Sequence, residues 1–161
     1  MRAIPFLLLC ALSCTPSKEK SAAAPGDSAY AGVQARGAEA MGVNQYTSRH
    51  IFDPLTDGGR IELQREVSDS AGALQIRRHM RLIAGRFAAG DFAIPGFVHA
   101  RAVAGTDVMA ARRGTIAYAV ETLPRGAALR LRTADSAAIA AIHEFLAFQR
   151  QTHHAAAHRD S

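Results

Sequence analysis

Two stretches of this 161-residue chain follow the same plan, and that repetition constrains the fold more than any other feature. In the first, Asp57-Gly58-Gly59 is a tight-turn signal. After it, Ile61, Leu63 and Val67 alternate with Glu62, Gln64 and Glu66, the two-residue period of a strand with one wet face. Residues 46–52 supply a strand before the turn. Ser68 or Asp69 then caps a helix in which Ala73, Ile76, Met80, Ile83, Ala84 and Phe87 share a face. Gly90 stands where a helix end favours a left-handed residue. In the second stretch, Ile116, Tyr118 and Val120 share a strand face, Pro124-Arg125-Gly126 turns the chain, and Leu129 and Leu131 alternate with Arg130 and Arg132. Thr133 or Asp135 caps a helix carrying Ile139, Ile142, Phe145 and Leu146.

The two stretches correspond in detail. Ile61-x-Leu63 answers Leu129-x-Leu131, Asp69-Ser70-Ala71 answers Asp135-Ser136-Ala137, and Ile76 and Ile142 lie at the same distance after their aspartates. The expected fold is α+β: two strand-strand-helix repeats forming a four-stranded antiparallel sheet, with two helices packed on one face. Residues 90–113 are expected to join the repeats as a long loop, and long loops in small domains often carry function.

The chain is 48% hydrophobic, too apolar for a wholly disordered polymer, and has no apolar run long enough to span a bilayer. Met1-Arg2, an apolar run from Ile4 to Leu12 and the polar turn after Cys14 read as an export signal over 1–14. Ala11-Leu12-Ser13-Cys14 resembles the bacterial lipoprotein signal, which implies acylation of Cys14 and a lipid anchor in the cell envelope; an ordinary secretory signal, leaving the domain periplasmic or secreted, is the alternative. Residues 15–44, rich in Ala, Gly, Ser and Pro, read as a flexible tether. A single α+β domain over 45–152 and a disordered histidine-containing tail over 153–161 complete the expected organisation. Lys+Arg 19 exceeds Asp+Glu 14, but an exported domain with scattered arginines is not expected to bind nucleic acid.

His50-x-Phe52, Gly58-Gly59-x-Ile61, Ile76-Arg77-x-His79, Phe87-x-x-Gly90-Asp91-Phe92-x-x-Pro95, His99, Gly105, Met109 and Ala141-Ile142-His143-x-Phe145-Leu146-x-Phe148-Gln149 resemble a set of small bacterial domains of unassigned activity. The likeness spans His50 to His154. Such sequences sometimes carry the label aspartate carbamoyltransferase, which the residues do not support. The transferase needs a Ser-Thr-Arg-Thr phosphate loop at a helix N-terminus; the nearest string here, Thr47-Ser48-Arg49-His50, is in the wrong order and on an expected strand.

The candidate chemistry lies in histidine and methionine. Both cysteines, Cys10 and Cys14, fall in the signal, so the mature domain offers imidazole and thioether as its soft ligands. His50 on the first strand, His79 on the first helix and His99 and Met109 on the long connection form the expected metal set, with copper or zinc as the ion. Met80 reads as core, His143 as a helix-edge histidine, and His153, His154 and His158 as a frayed end able to bind metal weakly. The expected function is a non-enzymatic envelope lipoprotein binding a copper-type ion. One alternative is an interaction module that meets a partner protein or another copy through a sheet face carrying Arg60, Glu62, Arg130 and Arg132. Another is a small enzyme built on an Asp91/His99 pair, which lacks an identifiable nucleophile.

Overall fold

The computed structural model describes residues 25–155. Helix α1 (Pro25–Met41) leads through a short 3₁₀ turn to strands β1 (Ser48–Leu55) and β2 (Gly58–Arg65), then helix α2 (Ser70–Ala88). Two short helices follow, α3 (Ala93–His99) and α4 (Thr106–Ala111), before strands β3 (Ala117–Leu123) and β4 (Gly126–Arg132) and the last helix, α5 (Ser136–His153). The sheet is antiparallel throughout, in the order β1-β2-β4-β3.

Both hairpins and both long helices stand where the repeated pattern puts them. Of the alternative caps, Asp69 and Asp135 hold the helix starts, accepting from Gly72 N–H and from Ala137 and Ala138 N–H. The repeats interlock rather than stand side by side. The helix that follows β2 lies mainly on β3 and β4, and the helix that follows β4 lies on β1 and β2. The inward residues of the strands, among them Phe52, Ile61, Leu63, Leu129 and Leu131, meet Ile76, Met80, Ile83 and Phe87 from α2 and Ile142, Phe145 and Leu146 from α5 in one core. Neither helix can keep its apolar stripe dry without the other repeat, so the halves fold as a unit.

Three expectations change. The expected tether contains a 17-residue helix, α1, which packs on α3 and α5 and buries Val33, Gln34 and Met41. Arg36 Nε ties it to the Val98 carbonyl at 2.8 Å. Its hydrophobic residues are too few and too widely spaced to mark a helical face, so tertiary packing makes this helix rather than its own pattern. The expected tail also begins too early: α5 continues to His153, half-buried, and His154 closes it in the left-handed region at φ 50°. Finally, the long connection is largely helical. Gly105, at φ 79°, lets it come so close that a Cβ there would lie 2.1 Å from the Ala141 carbonyl oxygen.

The expected signal over 1–14 with Cys14, residues 15–24 of the tether, and His158 lie outside the described residues. Among the described residues, no helix is long and apolar enough to cross a membrane.

Candidate functional site

Alternation along β1 puts His50 and Phe52 on the inward face, their rings 6.1 Å apart and nearly parallel. On α2, His79 precedes Met80, which points into the core at 2% exposure. His99 ends α3 just before Ala100, whose left-handed φ of 52° turns the chain away. His153 ends α5, one turn beyond Gln149 and two beyond Phe145. These four histidines line one cavity of about 80 Å³ between the β1 side of the sheet and helices α1, α2, α3 and α5. The rest of its wall is mainly apolar, with Met41, Met80, Gln45 and Gln149 as the other sulfur- and amide-bearing residues.

The rings contact one another. His153 stacks on His50 with centroids 5.1 Å apart and meets His99 edge-on at 5.1 Å. His99 Nε2 lies 2.7 Å from Gln149 Oε1, so the amide oxygen accepts the ring N–H and leaves Nδ1 as the nitrogen with a lone pair. The Ala40 backbone hydrogen-bonds His79, whose Nδ1 has no partner. A cleft of about 210 Å³ adjoins the cavity and shares Gln45, His50 and His153 with it, adding Tyr30, Tyr46, Arg49 and Glu66.

All four imidazoles are held neutral. Burial pushes His153 down to about 3, assisted by His50, His99 and His154. Burial likewise pushes His50 down to about 4, against a hydrogen bond with the Ser48 backbone and with a smaller contribution from His79. His79 is lowered by burial, and His99 by burial and by the nearby Arg101 and Arg36, against its bond to Gln149. Neutral imidazole is the form that binds a metal.

Unsatisfied polar atoms concentrate here. Among the described residues, buried side-chain N and O atoms without a partner are Gln34 Oε1, Gln45 Oε1, His79 Nδ1, His153 Nδ1 and Tyr118 OH. All but the tyrosine line the cavity or the adjoining cleft. Each such atom costs on the order of 1–3 kcal/mol, so a cluster of them marks a place that gains from a partner.

The sequence-predicted set therefore divides. His50, His79 and His99 converge; Met109 does not. It is fully buried in the core because α4 docks on α5, and it is absent from the cavity wall. Among the described residues, no three His, Cys, Asp or Glu side chains stand in a ready-made coordination geometry; His50 and His153 are stacked instead of aimed at one point. Asp91 does not join His99: its carboxylate accepts from Ala93 N–H at 2.8 Å and from Arg86 at 2.6 Å, and it lies outside the cavity. His143 Nε2 lies 3.0 Å from both the Leu55 and Gly58 carbonyl oxygens, latching α5 to the first hairpin. Sequence reasoning puts His153 in a frayed, weakly metal-binding end rather than in the cavity, and misses Gln149, Gln45 and Met41. Continuing the α5 stripe from Phe145 in steps of four reaches Gln149 and His153, a signal that was present.

Comparisons with protein-family models, with curated proteins and with solved structures return no match for this chain.

Proposed function

We propose that this chain is a non-enzymatic binding protein of the cell envelope, anchored through Cys14, whose cavity takes a transition-metal ion on histidine nitrogens. The observation that carries the reading is the convergence of four neutral imidazoles from β1, α2, α3 and α5 on one cavity, with the Nδ1 atoms of His79 and His153 buried and unpartnered. Gln149 on His99 and the Ala40 backbone on His79 are the kind of outer partners that orient metal-binding imidazoles. Coordination requires His153 to turn out of its stack on His50, which exchanges a ring contact for metal–nitrogen bonds.

The interaction-module reading has less support. On the open sheet face Arg60 pairs with Glu62 and Glu121, and Arg130 and Arg132 pair with Asp57. Charges already paired within the chain leave little for a partner.

The test is a titration of the full chain, purified in detergent without a histidine tag, with copper and zinc salts. Binding near one ion per chain is expected. His79→Ala and His153→Ala should each weaken it by about 10-fold or more, while deleting residues 156–161 should leave it unchanged. Absence of micromolar binding, or binding lost only with residues 154–158, would sink the proposal.

A further inference from the structure

We infer that the cavity selects a monovalent soft ion, copper(I), over divalent zinc or copper(II). This rests on the metal-binding reading above and names the ion class of the same site. The argument comes from what lines the wall. Its lining residues include His50, His79, His99 and His153 and the thioether-bearing Met41 and Met80, and no aspartate, glutamate or cysteine. In the adjoining cleft the carboxylate is that of Glu66, which is exposed and shares the cleft with Arg49.

The charge of a bound ion is therefore not neutralised by the residues that hold it. The cost of moving an ion from water into a poorly polar environment rises as the square of its charge, so a divalent ion costs about four times as much as a monovalent one of similar size. Sites for divalent ions usually offset that cost with thiolate or carboxylate ligands. Here neutral donors and an apolar wall leave the divalent penalty standing, and two cations beside His99, Arg36 and Arg101, add to it. Thioether is a soft ligand that favours copper(I) and adds little for zinc. Met80, at 2% exposure, and Met41, at 6%, line the wall and are held in place by the core, and Met41 Sδ accepts a hydrogen bond from Gln45 Nε2 at 3.7 Å, which a copper(I) ion would have to displace.

The experiment is an anaerobic competition titration of the full chain with chelator-buffered copper(I), with silver(I) as a redox-inert stand-in, and with zinc(II). X-ray absorption on the copper(I)-loaded protein accompanies it. Copper(I) and silver(I) should bind about 100-fold tighter than zinc(II) or better, and a sulfur neighbour should appear in the copper spectrum. Met80→Leu, close in volume, should lower copper(I) and silver(I) affinity by about 10-fold and leave zinc(II) unchanged. Met41→Leu provides the same comparison should the Met80 variant fold poorly. Zinc(II) binding as tightly as copper(I), or a copper spectrum with nitrogen neighbours alone, overturns the selectivity while leaving the metal site standing. Failure of all three ions to bind overturns both.

Discussion

Acidification should destabilise this domain through its buried histidines, and the size of the effect follows from the structure. Burial holds His50 at about 4 and His153 at about 3, whereas both return to about 6.5 once the chain unfolds. The unfolded state therefore binds more protons than the folded state throughout the interval from about 6.5 down to these depressed values. Stability must fall as the pH is lowered across it. At pH 5 each histidine has moved 1.5 units below its unfolded pKa while its folded ring is still neutral. At about 1.4 kcal/mol per unit, each removes about 2 kcal/mol relative to pH 7.5, and the pair about 4 kcal/mol. Since both folded values lie below 5, the figure depends on the unfolded pKa and little on the depressed ones. His79 and His99 are lowered too and act in the same direction. The lowered carboxylates, Asp57, Asp69, Asp91 and Asp135, contribute stability that is present above about 3.8 and lost below it, so they leave this window to the histidines.

The assay is urea unfolding followed by circular dichroism from pH 7.5 to pH 5.0, with a chelator present to keep the cavity metal-free. A loss of about 4 kcal/mol is a large part of the roughly 5–15 kcal/mol that holds a typical domain together. His153→Leu should remove about half of the pH dependence, whatever it does to the stability at pH 7.5. A free energy of unfolding that stays within about 1 kcal/mol across the range would refute the reasoning, because it would mean that the rings are hydrated in the folded state.

Three further outcomes are expected. Gln149→Leu leaves the His99 Nε2 without its 2.7 Å partner and should destabilise the fold by about 1–3 kcal/mol; Gln149→Glu should raise the His99 pKa, read by NMR titration. Gly105→Ala places a Cβ against the Ala141 carbonyl oxygen at a positive φ and should cost about 2–4 kcal/mol in urea unfolding, whereas Gly85→Ala, with open space around it, should be neutral or stabilising. Deleting residues 1–41 removes α1, with Ala40 and Met41, from the cavity wall; in the truncated chain the His79 and His50 pKa values should rise toward 6.5 by NMR, and unchanged values would show that α1 does not bury them.

The fold was legible because it depends on residues that declare themselves locally. Asp57-Gly58-Gly59 and Pro124-Arg125-Gly126 mark turns, Asp69 and Asp135 mark helix starts, and Ile61, Leu63, Leu129 and Leu131 alternate as half-buried strands must. Helix α1 was not legible, because its burial rests on Val33, Gln34 and Met41 among small residues, a pattern that means nothing until α3 and α5 are present to receive it. Met109 was misread for the opposite reason. Sequence placed it on a loop, where methionine has no packing purpose, but Gly105 brings that segment against α5 and makes the side chain core.

The cavity lies between these cases. His50 was identified by strand alternation and His79 by its place beside the α2 stripe, yet their meeting depends on how far apart sheet and helices sit, which no local pattern encodes. His153 shows the limit most clearly. Read by composition, it belongs with His154 and His158 at a frayed Ala-rich end; read by helical spacing from Phe145 through Gln149, it belongs to the cavity. The second reading succeeds because α5 is anchored along its length. His143 is latched to the first hairpin, Phe145 lies in the core, and Arg150 Nη1 donates to the Phe52 carbonyl at 2.9 Å. That last bond fixes the final turn of the helix to β1, the strand that carries His50, and so sets two of the four imidazoles against each other. Three residues past an anchored Arg150, a histidine cannot fray freely; its ring is held against His50 at the cavity wall.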